Sequence, residues 1–142
     1  MFFQDRLREM LIRHEGMRLK PYRCPAGKLT IGVGRNLEDV GISEDEAFYL
    51  LDNDIRRAEA TAAECAGRHG VLWEGLPEDA RLVLLNMAFN LGYRLGGFRK
   101  MFAALRKGDY EDAAREMLDS RWARQVGQRA IELAEIMKNI GR

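Results

Sequence analysis

Apolar residues return every three or four positions at Phe3, Leu7, Met10 and Leu11, with His14 closing the series. That period predicts a one-sided helix over about residues 3–14, stopped at Gly16. From Arg18 the helical period is lost. Tyr22 and the run Leu29-Thr30-Ile31-Gly32-Val33 suit strands, and Pro25-Ala26-Gly27 between them is a turn signal. A small hairpin is predicted, with Gly32 and Gly34 leaving room for a bulge or for close backbone approach. Ser43-Glu44-Asp45-Glu46 then carries a capping box, a hydroxyl for one end of the helix backbone and a carboxylate returning to the cap. The helix it opens places Phe48, Leu51, Ile55, Ala58 and Ala62 on one face and runs to about Glu64 or beyond. Residues Gly67 to Gly75 read as a linker.

Pro77 suits the first turn of the next helix. Leu82 to Leu91 is apolar on all sides except Asn86 and Asn90, a pattern that belongs at the centre of a helical bundle. Gly92 and the pair Gly96-Gly97 break it. Shorter helices follow at about 98–106, stopped by Gly108, at 110–118, and from near Gln128 to Ile140. The expected fold class is α+β, mostly α, in a single domain over residues 1–142. A small hairpin lobe at about 14–60 and a helical lobe at about 1–13 and 61–142 share the long helix and leave a cleft between them.

Charge narrows the partners. The 142 residues carry a net charge of +1 with no long basic block, which lacks the electrostatic footprint of a nucleic-acid binder. Yet 11 of the 23 Lys and Arg residues follow Leu91, leaving room for a locally positive groove facing an acidic polymer. No apolar run approaches the ~20 residues that cross a bilayer, so stable membrane insertion is not expected. The N-terminus meets charge at Asp5 and Arg6 and lacks a secretory pattern, so cytoplasmic synthesis is expected. In that compartment Cys24 and Cys65 are expected to be free thiols.

Three reactive side chains stand on these short elements. Glu15 ends the first helix, where the helix dipole favours cations, a setting suited to a carboxyl that must deliver a proton. It also reads as an ordinary solvated helix end. Cys24 lies in the hairpin turn, either as a small half-buried apolar residue or as a base or nucleophile once ionised, with Arg18, Lys20 and Arg23 nearby. Thr30 is a good strand former whose hydroxyl could also hold a water. Asn86 and Asn90 lie one turn apart and must find partners for their amides, in the backbone or in the cleft. Trp122 is either core or a stacking surface for sugar. Arg129 is a candidate partner for the Glu15 carboxylate. His14 and His69 share no ligand spacing with other groups, so no metal or cofactor is expected.

Together these segments resemble the phage lysozymes, the endolysin muramidases of glycoside hydrolase family 24. The resemblance is carried by His14-Glu15-Gly16-Met17-Arg18-Leu19, Thr30-Ile31-Gly32-Val33-Gly34, Asn86-Met87-Ala88-Phe89-Asn90-Leu91-Gly92 with Gly97-Phe98, and Ser120-Arg121-Trp122-Ala123-Arg124-Gln125 with Arg129-Ala130. It implies cleavage of the β-1,4 bond between N-acetylmuramic acid and N-acetylglucosamine in peptidoglycan glycan strands. By the same resemblance Glu15 is the general acid, Cys24 stands where many members have aspartate, and Thr30 occupies the family threonine position. Asn36 and Phe89 fall at saccharide-lining positions, Asn90 and Trp122 are further substrate-side candidates, and Arg129 falls where an arginine pairs with the catalytic glutamate. The missing secretory pattern fits an endolysin that waits in the cytoplasm for a membrane pore made by a separate holin, and a monomer is expected. Two departures stand out: Arg35 replaces the histidine common after the Gly-x-Gly pair, and the stretch from Gly34 to Ser43 is short. A lytic transglycosylase and a catalytically weak wall-binding module are the alternative readings.

Overall fold

The computed structural model describes residues 2–142. Helix α1 spans Phe3–Glu15, and the backbone N–H of Gly16 closes it on the carbonyl of Ile12 at 2.8 Å. Strands β1 (Arg18–Arg23), β2 (Leu29–Gly32) and β3 (Arg35–Asn36) form an antiparallel sheet in the order β1-β2-β3. The hairpin is therefore a three-stranded meander. The two-residue β3 was too short to announce itself by alternation.

Helix α2 covers Glu44–Arg68 and opens on the predicted capping box. The Glu46 amide donates to Ser43 Oγ at 3.1 Å, and the Ser43 amide donates to Glu46 Oε1 at 2.9 Å. A 3-10 turn at Trp73–Gly75 follows, then α3 (Glu78–Leu91), a second 3-10 turn (Gly92–Gly97), α4 (Arg99–Arg106), α5 (Tyr110–Leu118), α6 (Arg121–Val126) and α7 (Gln128–Lys138). Helix α6 was not expected. Its signal was Ser120, whose Oγ accepts from the Ala123 amide at 3.0 Å as an N-cap and donates to the Met117 carbonyl at 2.7 Å.

The chain forms two compact units, one ending at Tyr49 and the other running Leu50–Arg142. Helix α1 belongs with the hairpin in this division, and the boundary falls inside α2. The expected lobes, 14–60 against 1–13 with 61–142, divided the chain differently. In the larger unit α5 packs on α4 and α7, and α3 packs on α7. Leu84, Met87, Leu95, Met101, Phe102, Met117 and Met137 are fully buried there. Helix α3 corrects the expectation of burial on all sides. Ala80, Val83, Leu84, Met87, Ala88 and Leu91 are buried, but Leu82 and Phe89 are about half exposed, at 53% and 50%. Its apolar composition serves a core face and, separately, an open apolar groove described below.

Candidate active site

In the smaller unit the chemistry stands on one helix end and one hairpin. Glu15 is the last residue of α1, with Arg13 and His14 in the same turn. Its side chain is exposed and lies against Gly34, in the turn between β2 and β3. Pairing of Tyr22 with Thr30 and of Thr30 with Asn36 sets these three residues in one cross-strand row. Side chains directly opposite on neighbouring strands share a face of the sheet. Thr30 is the middle member and is buried, at 3% exposure.

Cys24 begins the turn that joins β1 to β2. Its amide donates to the Lys28 carbonyl at 3.0 Å, and its carbonyl accepts from the Gly27 amide at 2.8 Å. This tight turn gathers donors around the sulfur. The Lys28 amide foremost, then the Ala26 amide and the Thr30 hydroxyl, hold the thiol below its ordinary value, outweighing the partial burial that works the other way. Thr30 Oγ1 also lies 2.8 Å from the Lys28 carbonyl, to which it donates. The hydroxyl has one proton. It donates either to that carbonyl or to the sulfur, so the ionisation of Cys24 and the orientation of Thr30 are coupled.

Polar ties frame this hairpin. Arg23 pairs with Glu38 at 2.7 Å, and the same carboxylate accepts from the Leu29 amide at 2.9 Å. Arg35 pairs with Glu46 at 2.7 Å and donates to the Gly41 carbonyl at 3.1 Å. The guanidinium of Arg35, with the Ser43 amide, holds the Glu46 carboxyl down at about 2. The short connection to α2 is therefore clamped across its ends. Asn36, expected to line a saccharide site, spends its amide locally. Its Oδ1 accepts from the Asp39 amide and its Nδ2 donates to Asp39 Oδ2, both at 3.0 Å.

In the larger unit, Asn86 and Asn90 act as acceptors. Arg129 donates from Nε to Asn86 Oδ1 at 2.9 Å and from Nη2 to the Asn86 carbonyl at 3.0 Å. Trp122 donates from Nε1 to Asn90 Oδ1 at 2.9 Å. Trp122 is buried, at 4% exposure, and meets Phe98 edge to face at 6.0 Å. At this burial the ring packs as core, and the residue also lines the larger cavity described below. Asn90 is correspondingly its hydrogen-bond partner. Phe89 and Arg129 line an apolar groove of about 330 Å³ with Leu51, Ile55, Leu82 and Leu85. A second cavity of about 570 Å³ brings Arg94, Arg99, Lys100 and Arg121 together with Glu116 and Asp119. Four cations facing two carboxylates locate a positive surface among the basic residues that follow Leu91.

Both cysteines are free. No group of three or more His, Cys, Asp and Glu residues is arranged to hold a metal among the described residues. Likewise, no described helix is long and apolar enough to cross a membrane.

The family model for phage lysozyme matches residues 12–136, taking in Glu15, Cys24, Thr30, helices α2 to α6 and most of α7. The chain belongs to the phage lysozyme family. As a member it is a glycoside hydrolase, a peptidoglycan-hydrolysing lysozyme. It is 28% identical to an endolysin of Acyrthosiphon pisum secondary endosymbiont phage 1, over 84% of this chain and 80% of that protein. It is 28% identical to the SAR-endolysin of Escherichia phage Mu, over 89% of this chain and 71% of that one. Similarity to the pre-baseplate central spike protein Gp5 of Enterobacteria phage T4 is 29%, over 91% of this chain but only 27% of that protein. The chain thus spans about a quarter of the spike protein and most of each endolysin.

Proposed function

We propose that this lysozyme cleaves the β-1,4 bond between N-acetylmuramic acid and N-acetylglucosamine, with Glu15 as general acid. What carries this reading is the exposed Glu15 carboxyl at the end of α1, seated on the Gly34 turn of the same hairpin that holds the Cys24–Thr30 pair. The Glu15 proton passes to the glycosidic oxygen as the bond to the anomeric carbon breaks and positive charge develops on the sugar. A water held by the Thr30 hydroxyl attacks the opposite face. Its proton goes to the Cys24 thiolate, which the Lys28 amide stabilises. The Cys24 thiol then releases that proton to solvent and Glu15 takes one up, which restores both groups. Attack by water inverts the configuration, so a β-linked strand yields an α-anomeric end. Phe89 and Arg129 are kept as substrate-side residues on the family resemblance. On the same reading the lysozyme acts as a monomer and depends on a separate holin to reach the wall.

Glu15→Gln tests the central step. General acid catalysis contributes roughly 10²–10⁴-fold, and the variant should lose activity on purified peptidoglycan by that factor while keeping its fold. An undiminished rate overturns the assignment. NMR of the first-formed product should show the α anomer. A β anomer overturns water attack with inversion, and a 1,6-anhydro end identifies a lytic transglycosylase.

A further inference from the structure

We propose that Gly34 is a positioning residue for the Glu15 carboxyl, an inference that rests on Glu15 being the general acid. A Cβ at Gly34 would stand 2.9 Å from Glu15 Oε2, 3.2 Å from Cδ and 3.4 Å from Cγ. The outer half of the acid therefore lies on the bare Cα of this residue. Gly32, two residues earlier at the end of β2, has nearly the same φ, +67° against +71° at Gly34, yet nothing lies within 4 Å of its Cβ position. Both positions have a positive φ that strains an L side chain. Only one of them touches the acid.

The contact has an asymmetric consequence. The atoms in the way belong to the far end of an exposed, flexible side chain, so an added methyl group displaces Glu15 at little cost to folding. Catalysis is less forgiving, because a general acid must stand within hydrogen-bond reach of the oxygen it protonates. A misplacement of about 1 Å can cost about 100-fold in rate. Gly34 thus provides a seat that fixes where the carboxyl rests, on a turn that the β2–β3 ladder holds through the pairs Thr30–Asn36 and Ile31–Arg35.

The experiment pairs Gly34→Ala with Gly32→Ala. Strain should lower Tm similarly in both. The Gly34 variant should lose kcat by about 100-fold on soluble glycan fragments with little change in KM. The Gly32 variant should keep kcat within about twofold. In ¹³C-glutamate-labelled protein, the Glu15 carboxyl resonance, assigned through Glu15→Gln, should shift in the Gly34 variant alone. Should alanine prevent folding, Gly34→Asn and Gly32→Asn repeat the comparison, since asparagine tolerates positive φ and still presents a Cβ. Equal kcat losses at both glycines, retained kcat at Gly34, or a rise in KM alone would each overturn the proposal. Activity retained in Glu15→Gln would instead overturn the general-acid assignment beneath it.

Discussion

Among the described residues before Ala58, Thr30 alone is buried; from Ala58 to Met137 the chain holds every buried apolar side chain. The smaller unit gains its definition from directional polar ties instead: Arg23–Glu38, Lys28–Asp39, Arg35–Glu46, Asn36–Asp39 and the Ser43–Glu46 capping box. These two kinds of stabilisation differ in size. Burying a single large apolar side chain contributes about 1.5–3 kcal/mol, whereas an exposed ion pair contributes about 0–1 kcal/mol. The larger unit therefore carries most of the stability, and the hairpin unit carries the acid, the thiol and the hydroxyl. A surface that must admit a polymer cannot also be a core, and hydrogen bonds fix angles in a way that apolar contacts do not. Segments with few buried contacts also open locally at low free energy.

A core truncation tests this contrast most severely. Leu84 is fully buried in α3, and Leu84→Ala should cost about 2–5 kcal/mol. Both tryptophans, Trp73 and Trp122, lie in the larger unit, so their fluorescence during urea unfolding follows that unit. Amide exchange at Cys24 and Leu37, whose N–H groups bond to the Lys28 and Leu29 carbonyls, follows the hairpin. The variant should shift the fluorescence transition and leave hairpin exchange nearly unchanged. Equal acceleration at both places would mean the chain opens as one cooperative body, and the contrast would fail.

The cysteines sharpen it on a smaller scale. Cys24 is half-buried among donors that favour its thiolate. Cys65 is buried in α2, near the Tyr93 carbonyl, and burial pushes its thiol up. The alkylation rate of Cys24 by iodoacetamide should have its pH midpoint below that of an unperturbed cysteine in a short peptide, and Cys24 should react roughly tenfold or more faster than Cys65 at neutral pH. Mass spectrometry of partly labelled protein reads both. Equal rates, or a Cys24 midpoint at or above the free-thiol value, would remove the support for a thiolate base.

What could be read in advance follows the same division. Periodicity announced α1 and the inner face of α2, a turn signal between strand formers announced the β1–β2 hairpin, and an apolar run after Pro77 announced α3. Ser43-Glu44-Asp45-Glu46 announced its own hydrogen bonds, since capping is local chemistry. The losses came where a tertiary partner decides. Trp122 carries the same indole whether it stacks on sugar or donates to Asn90, and only the fold chose. Leu82 and Phe89 have the composition of core residues but stand half exposed. Asn36 was named on the family resemblance alone, and its local bonds to Asp39 show only once the turn after β3 is formed. At the acid itself, Glu15 was legible as a helix end, but its seat on Gly34 depends on a turn 19 positions away in sequence.

The smallest expected effect probes the polar side of the contrast through pH. The Arg35 guanidinium and the Ser43 amide hold Glu46 down at about 2, against about 4.5 for an unperturbed glutamate. A depressed folded-state value means that the stabilisation is complete above the unfolded value. It fades as pH falls from about 4.5 towards about 2, where the folded state also takes up the proton. Glu46→Gln should therefore speed hairpin amide exchange modestly at pH 7. That difference from wild type, after correction for the intrinsic exchange rate, should shrink as pH falls through this window. Added salt should shrink it further, because the Glu46 side chain is 42% exposed and the Arg35 side chain 37% exposed. A difference that stays constant from pH 7 to pH 2 would mean that shape and hydrogen bonding, rather than the charge pair, clamp the connection between β3 and α2.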